Sequence, residues 1–173
     1  MLDRILAIID GFNEKLGRTI AWLLIAMVIT QFVVVLLRYA FGYGSILMQE
    51  SVVYMHGMLF MLGAGYTLKH DEHVRIDLFY RTASKRNKAK VDFLGALVLL
   101  IPVTVMIFIS SYSYVQHSWA VFEGSRETSG IQGVYLLKTM ILIFCVLLAL
   151  QGIAQAIRAG RHLFSSSSSS PSA

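Results

Sequence analysis

The densest group of ligand-type side chains in the chain is His70-Asp71-Glu72-His73. Two histidines three apart on a helix share a face, as a zinc site would require. Spacing fixes no third ligand, and the group closes an apolar stretch, so polar anchoring at the water boundary is the reading adopted. His56 and His117 are the other pair to weigh. Two histidines on facing helices could ligate the iron of one haem at most, so a membrane-embedded haem-binding electron-transfer subunit stands as the alternative function. Other chemistries lack their parts. A diiron carboxylate site needs Glu-x-x-His pairs, and none occurs. There is no phosphate-cradling glycine loop, no G-x-S-x-G and no pair of carboxylates inside an apolar stretch. Cys145 is the single cysteine and reads as a small packing residue. The expectation is a chain that is not an enzyme and uses no cofactor and no metal.

The elements that would carry these residues are four charge-free stretches, 19–37, 51–68, 93–116 and 139–157. Each is 18 to 24 residues long, close to the ~20 residues a helix needs to cross ~30 Å of hydrocarbon. A composition 56% hydrophobic and 14% charged agrees. An all-α integral membrane protein is predicted, with spans at about 19–38, 50–68, 93–116 and 138–157. Four crossings put the N-terminus, the 69–92 loop and the C-terminus on one side. That side collects twelve of the fifteen Lys and Arg, leaving Arg38, Arg126 and Lys138 for the other. The excess of cations marks the cytoplasmic side, so both termini are expected there. Anionic lipid headgroups account for the net charge of +5, and no nucleic-acid partner is expected. No charged side chain lies in the middle of a span, so the chain alone should move nothing across the membrane.

Residues 1–18 place Leu2, Ile5, Leu6, Ile9, Phe12 and Leu16 on one helical face and Asp3, Arg4, Asp10, Glu14, Lys15 and Arg18 on the other. The pattern predicts an amphipathic helix lying in the interface, with Gly11 and Gly17 as bend points before the 19–158 transmembrane domain; an N-terminal extension of the first spanning helix is the alternative. The first span reads as retained rather than as a cleaved signal. Its Gln31 is expected to hydrogen-bond a neighbouring helix, and Gly57, Gly63 and Gly65 to permit close helix contact. Pro102 should distort the third span. The serine-rich tail 159–173 is expected to be disordered.

Several local patterns converge on one family. Arg38-Tyr39-Ala40-Phe41 closes the first span, and Gln49-Glu50 opens the second eleven residues after that arginine. His73-Val74-Arg75-Ile76-Asp77 follows the second span, and Leu150-Gln151-Gly152 lies near the end of the fourth. Order, spacing and topology resemble the small membrane subunit of tripartite ATP-independent periplasmic (TRAP) transporters over about residues 5–160. Two departures stand out. Met48-Gln49-Glu50 replaces the family's frequent tryptophan and paired acids, and the 117–138 loop lacks prolines. The resemblance implies a multi-pass protein of the bacterial inner membrane. It implies a large membrane subunit that takes up an organic, carboxylate solute on a sodium gradient, and a periplasmic substrate-binding protein that delivers it. The small subunit would be a scaffold on the large one. Arg38 and Glu50 would sit at the outer rim, pairing with each other or with the partner, and His73, Arg75 and Asp77 would order the cytoplasmic loop. Simple anchoring of all five in the interface is an equal alternative. The serine tail ending at Ala173 favours a large subunit on a separate chain.

Overall fold

A backbone inside hydrocarbon must satisfy its own hydrogen bonds, which makes long apolar helices the solution for this composition. The computed structural model of the chain describes residues 2–73 and 84–165. It is helical, with no strand among the described residues. The elements are α1 (Leu2–Ala40), α2 (Ile46–Lys69), α3 (Lys85–Leu94), a π-helical turn (Gly95–Leu100), α4 (Ile101–Ala120) and α5 (Val134–Ser165). The π turn joins α3 and α4 into one continuous rod. Four rods are long and apolar enough to cross a membrane, and each contains one of the four predicted spans. The chain is a multi-pass membrane protein.

The rods form an open layer. α1 packs on α2, α2 on α5, and α5 on the α3–α4 rod, while α1 touches α5 only lightly. α2 and α5 are therefore the two inner rods, and α5 is the more buried of them. The remaining apolar surface of α1, α2 and α4 is outward-facing, as a bilayer permits. The start of α1 and the last turns of α2 and α5 meet at one end, the near end. The 41–45 link and the 121–133 loop lie at the other, the far end.

Two boundaries differ from the sequence expectation. Residues 2–18 are the first part of the unbroken helix Leu2–Ala40 and not a separate element. The reason is visible at Gly17, which does not bend the helix but receives the Tyr66 ring; a Cβ there would meet that ring at 2.4 Å. Neither side of the 2–18 pattern faces protein as a whole: Leu6, Asp10, Asn13 and Glu14 turn toward α2 and α5, while Leu2, Ile5, Ile8 and Phe12 are left exposed with Arg4, Lys15 and Arg18. At 39 residues and ~1.5 Å per residue, α1 is about 58 Å long, far beyond the ~30 Å of the hydrocarbon. At the other terminus α5 continues through Ser165, past the boundary expected at 158, because Arg158 and Arg161 are held by acids of α1. The rest of the predicted tail, 166–173, lies outside the described residues.

The distortion expected at Pro102 takes the form of the π turn just before it. The Ile101 N–H donates to the Ala96 carbonyl, and the Thr104 hydroxyl donates at 2.9 Å to the carbonyls of Leu100 and Ile101. The register change thus falls on the turn that enters the proline, and the hydroxyl adds a local bond on the turn that leaves it. The same segment seats on α5, where a Cβ on Gly152 would meet the Leu100 side chain at 2.6 Å.

Candidate functional site

Polar side chains concentrate at the two ends of the layer. At the near end, α1 carries Asp3, Asp10, Asn13 and Glu14 toward its neighbours. Asn13 and Gln151 are 2% and 1% exposed. Asn13 Nδ2 donates to Gln151 Oε1 at 2.8 Å, and Gln151 Nε2 donates to Asp10 Oδ1 at 3.1 Å. Arg158 pairs with the second oxygen of Asp10, and Arg161 pairs with Asp3. Glu14 accepts from Arg18 Nε and Lys69 Nζ at 2.7 Å, and its Oε2 lies 2.8 Å from His70 Nε2. These hydrogen bonds, led by those from Lys69 and His70, hold the Glu14 carboxyl down at about 2. The Asn13 Oδ1 has no partner and lies over Gly65, where a Cβ would meet it at 2.5 Å. Glycine at 65 thus lets a polar side chain of α1 enter between α2 and α5.

At the far end, the first turn of α2 grips the 121–133 loop. Ser45 caps α2, accepting from the Met48 N–H, and Glu50 follows one turn later. Its carboxylate accepts from the Ser125 hydroxyl and, at 2.6 Å, from the Ile131 N–H. Gly130 lies against this contact; a Cβ there would meet Glu50 Oε2 at 2.6 Å. The loop is closed by a second set of contacts between α4 and α5. Lys138 pairs with Glu123 and sits 3.9 Å over the Tyr114 ring. Trp119 donates to Thr139 Oγ1 at 2.8 Å and meets the Tyr135 ring edge-on at 4.6 Å. The Lys138 hydrogen bond is the main cause that holds the Glu123 carboxyl below the usual range.

The residues singled out from sequence separate accordingly. Glu50 is committed to the loop of its own chain. Arg38 is exposed in the last turn of α1 and makes no ion pair among the described residues, so the two do not pair with each other. His70 faces Glu14 and stacks on Tyr66 at 4.4 Å, whereas His73 is exposed in the bend after α2. Arg75 and Asp77 lie outside the described residues. His56 and His117 are both exposed, on α2 and α4, which pack on α5 and not appreciably on each other. Among the described residues no three metal-ligating side chains converge. The clusters join helix to helix.

A family model, described as the DctQ component of tripartite ATP-independent periplasmic transporters, matches residues 19–162. The chain belongs to this family. It is a small membrane subunit of a TRAP transporter, which selects the transporter reading over the electron-transfer one. Comparison with curated proteins and with solved structures gave no match. The matched range of this DctQ chain spans all four rods and the whole Glu50 clasp, but begins after Asp3, Asp10, Asn13 and Glu14. From sequence, Asp3, Asp10 and Glu14 read only as the polar side of a helix and nothing singles out Asn13, because their partners on other helices lie 55 to 158 positions away, beyond any local periodicity. Gln151 did carry a signal, as an amide inside an apolar span.

Proposed function

We propose that this chain is the non-catalytic scaffold subunit of a TRAP transporter in the bacterial inner membrane, with both termini cytoplasmic. It packs against the large membrane subunit, which carries out sodium-coupled uptake of an organic carboxylate solute delivered by a periplasmic binding protein. One observation carries the reading. The ion pairs of the layer lie at its two ends, where they join helix to helix or helix to loop, and no charged side chain occupies the middle of a span. A protein that binds and moves an anion or sodium needs such groups at depth. The cation bias of the near end supports the assignment of that end to the cytoplasm.

Within this reading, Arg38, which makes no ion pair among the described residues, contacts the large subunit at the periplasmic rim. Glu50 acts through the loop it holds. His73, Arg75 and Asp77 order the cytoplasmic return between the second and third spans. The experiment is reconstitution into liposomes under a sodium gradient. Uptake should require this chain, the large subunit and the binding protein together, and sodium-driven uptake by this chain alone would sink the scaffold assignment. Charge reversal at Arg38 should lower recovery of the large subunit with the tagged chain. Unchanged recovery would reject its placement in the contact.

A further inference from the structure

On the neighbouring rods α1 and α2, two exposed polar side chains within the spans have no partner among the described residues. Gln31 of α1 and His56 of α2 are exposed, and neither makes a hydrogen bond among the described residues. Thr30, beside Gln31, returns its hydroxyl to the Ala26 carbonyl at 2.8 Å, a local solution that the longer glutamine does not use. The neighbouring helix expected to receive Gln31 is thus not supplied from within the described chain.

The two residues share a depth. Arg38 and Glu50 mark the far-end edge of the first two spans. Gln31 is seven residues from Arg38 (38 − 31) and His56 six from Glu50 (56 − 50), or roughly 10 Å and 9 Å inside that edge at 1.5 Å per residue. Since α1 and α2 are packed neighbours, the amide and the imidazole belong to one level of the layer. His56 also belongs to an uncovered row. Gln49, Val53, His56 and Phe60, spaced four, three and four, form one face of α2, and all are exposed. The contacts of α2 use other positions: Gly63 and Tyr66 toward α1, Gly57 and Tyr54 toward α5.

Lipid chains offer no hydrogen bond, and an amide or imidazole facing them carries its full desolvation cost. By contrast, the exposed α5 row of Ile143, Val146, Leu150 and Ile153 is wholly apolar and suits lipid. We propose that the Gln49–Val53–His56–Phe60 face, with Gln31 beside it, is seated against the large membrane subunit. That subunit supplies a hydrogen-bonding group about 9–10 Å below the far-end edge. The proposal rests on the reading of the chain as a TRAP scaffold subunit and specifies which side of the layer the partner covers.

The test uses the complete transporter in native membranes, with benzoylphenylalanine in place of Phe60 or, as the control, Val146. Irradiation should link the position-60 probe to the large subunit at least about ten times more efficiently than the position-146 probe. His56→Leu should lower the large subunit retained by the tagged chain about three- to tenfold, with the chain's own melting temperature unchanged. Equal or absent linking at position 60, while the wild-type chain still retains the large subunit, overturns this placement and leaves the proposed function standing. An adduct of twice the chain's own mass also overturns it, since the occupant is then a second copy. If the wild-type chain retains no large subunit, the functional reading fails and this inference fails with it.

Discussion

Gln151→Leu is expected to weaken the near end selectively. The substitution removes the acceptor for Asn13 Nδ2 and a donor to Asp10 Oδ1. Asn13 is 2% exposed and its Oδ1 already lacks a partner, so its amide would be left with no hydrogen bond. An orphaned buried donor costs about 1–3 kcal/mol. Asp10 keeps Arg158, so the second loss is nearer the ~0.6 kcal/mol average for polar contacts inside membranes. The sum is about 2–3 kcal/mol, or roughly 4–12 °C in melting temperature for a chain of this size. Thermal unfolding in detergent, followed by circular dichroism, reads it directly. Gln155→Leu on the same helix is the control, since Gln155 makes no hydrogen bond among the described residues. Adding Asn13→Leu to Gln151→Leu should recover much of the loss, because removing both partners is close to neutral. The reasoning is refuted if Gln151→Leu melts with Gln155→Leu, or if the double variant is less stable than the sum of the singles.

Three further outcomes are expected. Gly130→Ala should displace Glu50 from the 121–133 loop and destabilise by about 1–3 kcal/mol, seen as increased amide exchange at Ile131. Glu14 has its carboxyl lowered from 4.5 to about 2; its stabilising contribution is present above pH 4.5 and is lost as pH falls through about 2. Glu14→Gln should flatten the stability curve over that window, and an unchanged curve would show that the Lys69 and His70 contacts do not form. Phe122→Gly should be neutral or stabilising by up to about 1 kcal/mol in thermal unfolding, since Phe122 sits at φ 44°; a clear loss would mean that its edge contact with Tyr135 outweighs backbone relief.

Phe122 also shows where sequence reading stops. α4 ends with the Phe122 N–H on the Trp119 carbonyl and the Glu123 N–H on the Ser118 carbonyl, a Schellman ending whose left-handed position is normally glycine. Gly124 lies two residues too late to serve. α2 ends the same way at Asp71, φ 61°, where a short polar side chain tolerates the conformation more readily. The turn at Gly42, φ 66°, was by contrast readable from its glycine. The four spans were readable too, because hydrocarbon thickness sets a length that composition alone reveals. The extent of α1 was not. Its amphipathic pattern says only that two faces differ, and here the buried stripe runs across both, taking Leu6 from one and Asn13 and Glu14 from the other. Glu50 was recognised from its place beside the second span, but its grip on Ser125 and Ile131 depends on how a loop more than seventy residues away folds back.

The open layer has a mechanical consequence. It is cross-braced along two parallel edges, by the Asp10–Asn13–Gln151–Arg158 set at one and by the Glu50 clasp at the other. Between those edges its neighbours meet through apolar and small side chains, as at Gly57 with Leu137. Such a plate resists splaying at its rims and bows most easily through its middle. A load applied to its face would be shared across all four rods and carried to both leaflets at once.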